Sequence, residues 1–149
     1  MRAEKLYKEF KWDKTDALKI WCFGPENVGA TVLVDTIKAA QYVTEIKDSV
    51  CTAFQYASKS GVLAEESLRG CRFNLTDAQI HEDSVHRNGA QIIPASRRLF
   101  QGLEIASRPT LLEPILMCEI TVPSQALGGV YQTLNQRRGE IITEDRFEG

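Results

Sequence analysis

The chain has 149 residues, 43% of them hydrophobic and 26% charged, with a formal net charge of −2. That balance fits one domain, or one and a fraction, with enough apolar surface for a core, and it excludes wholesale disorder and a generally basic nucleic-acid coat. No apolar run approaches the roughly 18 residues of a membrane span, so no membrane partner is expected, and the N-terminal stretch lacks the apolar core of a signal peptide.

Residues 1–16 are mostly charged, and Leu6, Phe10 and Trp12 predict a frayed helical end. Ala17 to Phe23 alternates and then turns fully apolar, as a strand entering a core does. Gly24-Pro25-Glu26-Asn27 signals a turn, and the β-branched run from Thr31 to Val34 predicts a second strand. From about Lys38 to Lys59 the period changes. Val43, Ile46, Val50, Phe54 and Ala57 recur at spacings of three and four, one face of an amphipathic helix, with Gly61 as its stop.

Residues 68–80 alternate again through Cys71, Phe73 and Leu75 and predict a long strand. The polar stretch from His81 to Gly89 predicts a loop. Helical spacing resumes from Ile92 to about Ala106, with Pro94 in the first turn, and Arg108-Pro109 breaks it. A strand over Ile115 to Val122 follows. Next comes a helix from Ser124 to Arg137, with Ser124 as N-cap and Leu127, Val130, Tyr131 and Leu134 inward. Glu140 to Thr143 predicts a last strand. This closing β-α-β unit is too small to close its own sheet, which predicts a piece of a longer protein.

Three motif imitations are set aside. Gly24-Pro-Glu-Asn-Val-Gly29-Ala30-Thr31 resembles a phosphate-binding loop, but Ala30 stands where the phosphate-reaching Lys belongs and no helix follows. His81-Glu82-Asp83-Ser84-Val85-His86 imitates a zinc-protease motif, yet its two His are five apart, and on a helix their rings would diverge by about 140°. Ser84, His86 and Asp83 are too close in sequence for triad geometry. Cys22, Cys51, Cys71 and Cys118 lack Cys-x-x-Cys spacing, so we expect buried, reduced thiols of a cytoplasmic protein, and no metal. No catalytic residue emerges.

The informative stretch runs from Asp77 to Arg98. It combines a strand end, a polar tip with two His, an Asn-Gly turn and a helix start bearing Arg97 and Arg98. From Ser84 to Arg98 there are three Arg and no acidic residue. Such a loop suits RNA contact. Arg reaches phosphate, imidazole stacks or hydrogen-bonds, and Gly allows close backbone approach.

The stretch Asp77-Ala-Gln-Ile-His81-Glu-Asp83-Ser-Val-His86-Arg87-Asn-Gly89-Ala-Gln91-Ile-Ile-Pro94-Ala-Ser-Arg97-Arg98 resembles the diphthamide loop of the eukaryotic translation elongation factor 2 family. Collinear stretches extend the resemblance over essentially the whole chain: Lys19-Ile-Trp-Cys-Phe-Gly-Pro25, Glu45-Ile-Lys-Asp-Ser-Val50, Leu112-Glu-Pro114, Gly128-Gly-Val-Tyr131 and Arg137-Arg138-Gly139. The resemblance implies an α+β chain. Residues 1–109 would be most of a fourth domain with a ribosomal-protein-S5-like α/β fold. Residues 110–149 would be the first β-α-β of a ferredoxin-like fifth domain.

It also implies a function. The parent factor would drive GTP-dependent translocation of tRNA and mRNA on the ribosome, with GTP and magnesium held in a separate domain, so that this chain itself is neither a GTPase nor a cofactor binder. The tip would enter the small-subunit decoding region. His86 would be the residue converted to diphthamide by the dedicated synthesis enzymes and attacked by ADP-ribosylating toxins such as diphtheria toxin. His81, Asp83, Arg87, Asn88, Gly89, Gln91, Arg97 and Arg98 would shape the tip or contact RNA. The family's Gly-Gly-Gly is Asn88-Gly89-Ala90 here. Asn tolerates a left-handed backbone, whereas Ala90 excludes conformations that glycine allows. A related spliceosomal GTPase, a structural ribonucleoprotein component, shares the scaffold and the loop His but lacks the upstream His-x-Asp, which His81 and Asp83 supply here.

Overall fold

The computed structural model describes residues 2–146. The chain divides into two compact units between Leu111 and Leu112. The first begins with helices α1 (Arg2–Phe10) and α2 (Lys14–Leu18). The charged start is therefore well-formed helix, carrying i,i+4 ion pairs between Glu4 and Lys8 and between Lys5 and Glu9. Asp13 caps α2, its carboxylate accepting from the Thr15 amide at 2.7 Å.

Strands β1 (Ile20–Gly24), β2 (Thr31–Asp35) and β3 (Arg72–Leu75) form one sheet in the order β1-β2-β3. β1 pairs antiparallel with β2, Cys22 opposite Leu33, with a register irregularity between Ile20 and Cys22. β2 pairs parallel with β3, Leu33 opposite Phe73. A parallel pair needs a crossover, and helix α3 (Val43–Lys59) supplies it. β2 lies in the middle of the sheet and is buried from Thr31 to Val34, which is why it reads as an unbroken β-branched and apolar run. Only residues 72–75 of the expected 68–80 strand pair, opposite Val32–Asp35 of β2.

The apolar stripe of α3 becomes the core. Ile46, Val50, Ala53, Phe54 and Ala57 pack with Leu33 and with Phe100 of helix α4 (Gly89–Ala106). The rings of Phe54, Phe73 and Phe100 meet edge to face with centroids 5.4 to 5.8 Å apart. Gly24 is the close-approach point of sheet and helix. A Cβ there would fall 2.7 Å from a Phe54 ring carbon and 2.3 Å from Ser58 Oγ.

Two helix starts differ from the periodicity. α3 begins at Val43, five residues later than expected, behind Tyr42 in the left-handed region at φ 64°. α4 begins at Gly89, three residues before Ile92, because Asn88 caps it. Pro94 therefore lies inside the helix rather than in its first turn.

In the second unit a 3-10 turn at Ser124–Ala126 leads into helix α5 (Leu127–Gln136). Leu127, Val130, Tyr131 and Leu134 are its half-buried side chains. Ser124 opens the 3-10 turn and does not cap α5, whose N-cap position is Ala126 with no side-chain bond. The strands expected at 115–122 and 140–143 are absent among the described residues. A strand needs a ladder partner, and none pairs with these segments there. Ile115, Leu116 and Met117 are consequently 93%, 82% and 91% exposed. Residues 147–149 lie outside the described residues.

Candidate functional site

The loop between β3 and α4 is built from short-range side-chain caps. Asp83 Oδ1 accepts from the Val85 amide at 3.0 Å and starts a 3-10 turn over Ser84–Arg87. Asn88 closes that turn and opens the next helix. Its Nδ2 donates to the Val85 carbonyl at 2.6 Å, while its Oδ1 accepts from the Gln91 amide at 3.1 Å. His86 sits in the turn between the two caps.

Asn88 has φ −74° and ψ 157°, an extended geometry open to any residue. Gly89 and Ala90 are already helical. The departures from Gly-Gly-Gly thus fall where no glycine-only conformation is required. Ala90 fits a helix start better than glycine does, which resolves the expectation that it would restrict the loop.

His86 is exposed, and its Nδ1 lies 3.3 Å from Gln91 Oε1. With that oxygen as acceptor, Nδ1 is the donor. The ring meets His81 edge to face, centroids 4.5 Å apart. His81 is exposed as well, and its Nδ1 accepts from the Asp83 amide at 3.0 Å, which puts the His81 proton on Nε2. His81, Asp83, His86, Asn88 and Gln91 therefore form one connected cluster.

Arg87, expected to shape the tip or contact RNA, is placed here to shape it. It turns inward, and only 10% of the side chain is exposed. Nε donates to Glu45 Oε2 at 2.8 Å, and NH1 donates to the carbonyl of His81 at 3.0 Å and to that of Glu82. The guanidinium lies 4.1 Å from the Tyr42 ring centroid. Arg87 thus ties both limbs of the loop to the N-terminal end of α3. Its partners Tyr42 and Glu45 lie on a distant element, so no local spacing marks them. The one signal was Glu45 within a family-like stretch.

Arg97 and Arg98 lie exposed on α4, Arg97 with its guanidinium 5.9 Å from the Tyr56 ring centroid. Neither forms an ion pair among the described residues. Ile92 and Ile93 are half-buried against the core and hold the helix start down. Beside the loop is an apolar hollow of about 380 Å³, floored by Leu33, Val50, Phe73 and Phe100, with His81 and His86 also in its lining. The described residues contain no group of three or more His, Cys, Asp or Glu placed to hold a metal, and no helix long and apolar enough to cross a membrane.

A small sheet with a parallel crossover, two packed helices and an exposed histidine loop define the first unit. The comparisons give the class. Residues 1–107 match the family model described as Elongation factor G, domain IV, and residues 110–149 match the one described as Elongation factor G C-terminus. The chain belongs to the elongation factor G and elongation factor 2 family, and its role is that of a translation elongation factor acting with the ribosome.

Proposed function

We propose that this chain is the decoding-region tip of a eukaryotic elongation factor 2, and that His86 is its diphthamide site. The carrying observation is the contrast between two neighbours. His86 is exposed in a turn capped by Asp83 and Asn88, while Arg87 is half-buried and holds that turn in place. A side chain to be modified by enzymes, and then to approach tRNA and mRNA, needs that combination of access and fixed position. His81 and Asp83 support the translation factor over the spliceosomal relative, because both are engaged here, one against the His86 ring and one as the turn's cap.

In this reading RNA contact falls to the exposed Arg97, Arg98, Gln91 and the tip itself. The chain works in the cytoplasm, and its partners include the diphthamide-synthesis enzymes and ADP-ribosylating toxins. GTP and magnesium belong to another domain of the parent factor, and this chain is not itself an enzyme. Two features favour that: the Gly24–Thr31 turn joins two antiparallel strands, and Ala30 stands where a phosphate loop needs Lys.

The test is toxin labelling. The chain, produced in a eukaryotic host with intact diphthamide synthesis, should accept ADP-ribose from NAD under diphtheria toxin, with the label mapped to His86. The His86→Ala chain should not be labelled. Labelling that survives His86→Ala, or a wild-type chain whose His86 peptide keeps its unmodified mass, would refute the assignment.

A further inference from the structure

Two of the four cysteines are brought together by the packing of β1 on α3. Residues two apart on a strand share a face, so Cys22 points to the same side as Gly24. Gly24 lies directly on α3, since a Cβ there would meet Phe54 and Ser58. Cys51 precedes Phe54 by three residues and Ser58 by seven, which puts it on the same stripe of α3. Gln55 fixes the register: its Nε2 donates to the Phe23 carbonyl at 2.7 Å. Cys22 and Cys51 are both half-buried and both pack against the same core cluster.

The two thiols lie close enough to perturb each other, and their surroundings are unequal. The neighbouring Cys22 thiol holds the Cys51 thiol below its ordinary value, helped by Lys47 one turn back on α3, against burial and the nearby Asp48. The Cys51 sulfur and burial push Cys22 upward. One sulfur is thus the better nucleophile and the other holds a proton to give. The remaining cysteines have no such arrangement. Cys71 Sγ donates to the Arg69 carbonyl at 3.5 Å, and Cys118 is exposed.

We propose that Cys22 and Cys51 are a redox-active thiol pair, oxidised by hydrogen peroxide to a reversible disulfide that joins β1 to α3. The Cys51 thiolate attacks one peroxide oxygen; the S–O bond forms, the O–O bond breaks, and hydroxide leaves. That hydroxide takes the Cys22 proton and becomes water. The Cys22 thiolate then attacks the Cys51 sulfenic sulfur; the S–S bond forms, the S–O bond breaks, and a second hydroxide leaves and takes a proton from solvent. Two electrons pass from the sulfurs to one peroxide. The crosslink would fasten the helix whose first turn carries Glu45, the ion-pair partner of Arg87.

The experiment uses the full chain, treated with stoichiometric hydrogen peroxide, alkylated, digested with trypsin and mapped by mass spectrometry. The expected product is tryptic peptide 20–38 joined to peptide 48–59, two hydrogens lighter than their sum and restored by dithiothreitol. Cys22→Ser should trap Cys51 as a sulfenic acid captured by dimedone, and Cys51→Val should yield neither linkage nor dimedone adduct at Cys22. The wild-type linkage map stands even where a variant fails to fold. Oxidation confined to Cys71 or Cys118, with Cys22 and Cys51 alkylated as free thiols, would overturn the proposal. So would Cys22 oxidising first in the Cys51→Val chain.

Discussion

The Arg87 guanidinium stacks 4.1 Å from the centroid of the Tyr42 ring, a residue forty-five positions back in the chain. Tyr42 adopts a left-handed backbone at φ 64° to present that ring. Such a geometry costs a bulky residue of order 1–3 kcal/mol and persists only where its surroundings fix it. The stack, the Glu45 ion pair and two loop carbonyls together fix the turn that carries His86.

Removing the clamp should therefore cost far more than removing the residue it serves. Arg87→Ala should destabilise the chain by about 1–3 kcal/mol, the range for lost charged hydrogen bonds. Arg87→Lys should restore little of it, because an ammonium keeps the charge but not the planar fork or the stack. His86→Ala, at an exposed position, should stay within about 0.5 kcal/mol. Urea unfolding midpoints decide the order. An Arg87→Ala chain as stable as wild type would mean the clamp carries no weight.

Asn88 offers a sharper comparison. Its side chain caps α4 and closes the preceding turn, so Asn88→Ala should cost about 1 kcal/mol, whereas Asn88→Gly should cost only a few tenths. Ala90→Gly, which restores the family residue inside a helix, should destabilise by about 0.5–1 kcal/mol. Thermal melts of the three variants test this. Ala90→Gly emerging as stabilising would show that the loop wants the glycine after all.

These residues show how much of the molecule the sequence made legible. The stripe through Ile46, Val50, Phe54 and Ala57 named the core helix, because burial follows a period of 3.6. The loop and its His86 stood out through polar composition and resemblance. Arg87 read only as a tip residue; its inward clamp was not legible, since its partners are set by how α3 packs, and nothing local separates an inward Arg from an outward one. The start of α4 was missed by three residues because the Asn88 cap overrides apolar spacing as the boundary signal. The second unit shows the converse: 115–122 reads as a strand from side chains alone, but a strand also needs a neighbour to pair with.

Gly24 is where β1 approaches α3 too closely for a Cβ. Gly24→Ala would push a methyl into the Phe54 ring and Ser58, both fully buried, with nothing at the flexible end of a side chain to give way. Overpacking of this kind costs about 1–3 kcal/mol. The loss should appear as a lower unfolding midpoint at unchanged slope, since the surface exposed on unfolding barely changes. A midpoint equal to wild type would mean that β1 and α3 separate more easily than their contacts imply, and it would weaken the Cys22–Cys51 argument with it.

Glu104 makes stability depend on pH. It lies on α4 at 5% exposure, one oxygen accepting from the Val62 amide at 3.2 Å and the other without a partner among the described residues. Burial raises its carboxyl above the ordinary carboxylate range, and the Val62 bond offsets only part of that. The folded chain therefore holds this proton to higher pH than the unfolded chain does. Stability from this group is fully present below the ordinary carboxylate value and is lost as pH rises through the raised one. Asp13 and Glu144, both held low by hydrogen bonds, titrate in the opposite sense, so the total curve does not isolate the effect. The difference between wild type and Glu104→Gln does, because the amide cannot ionise. Melting temperatures across the acid-to-neutral range should show wild type losing ground to Glu104→Gln as pH rises, then running parallel once Glu104 is fully charged. Parallel curves over the whole range would place the Glu104 carboxyl in an environment as polar as water.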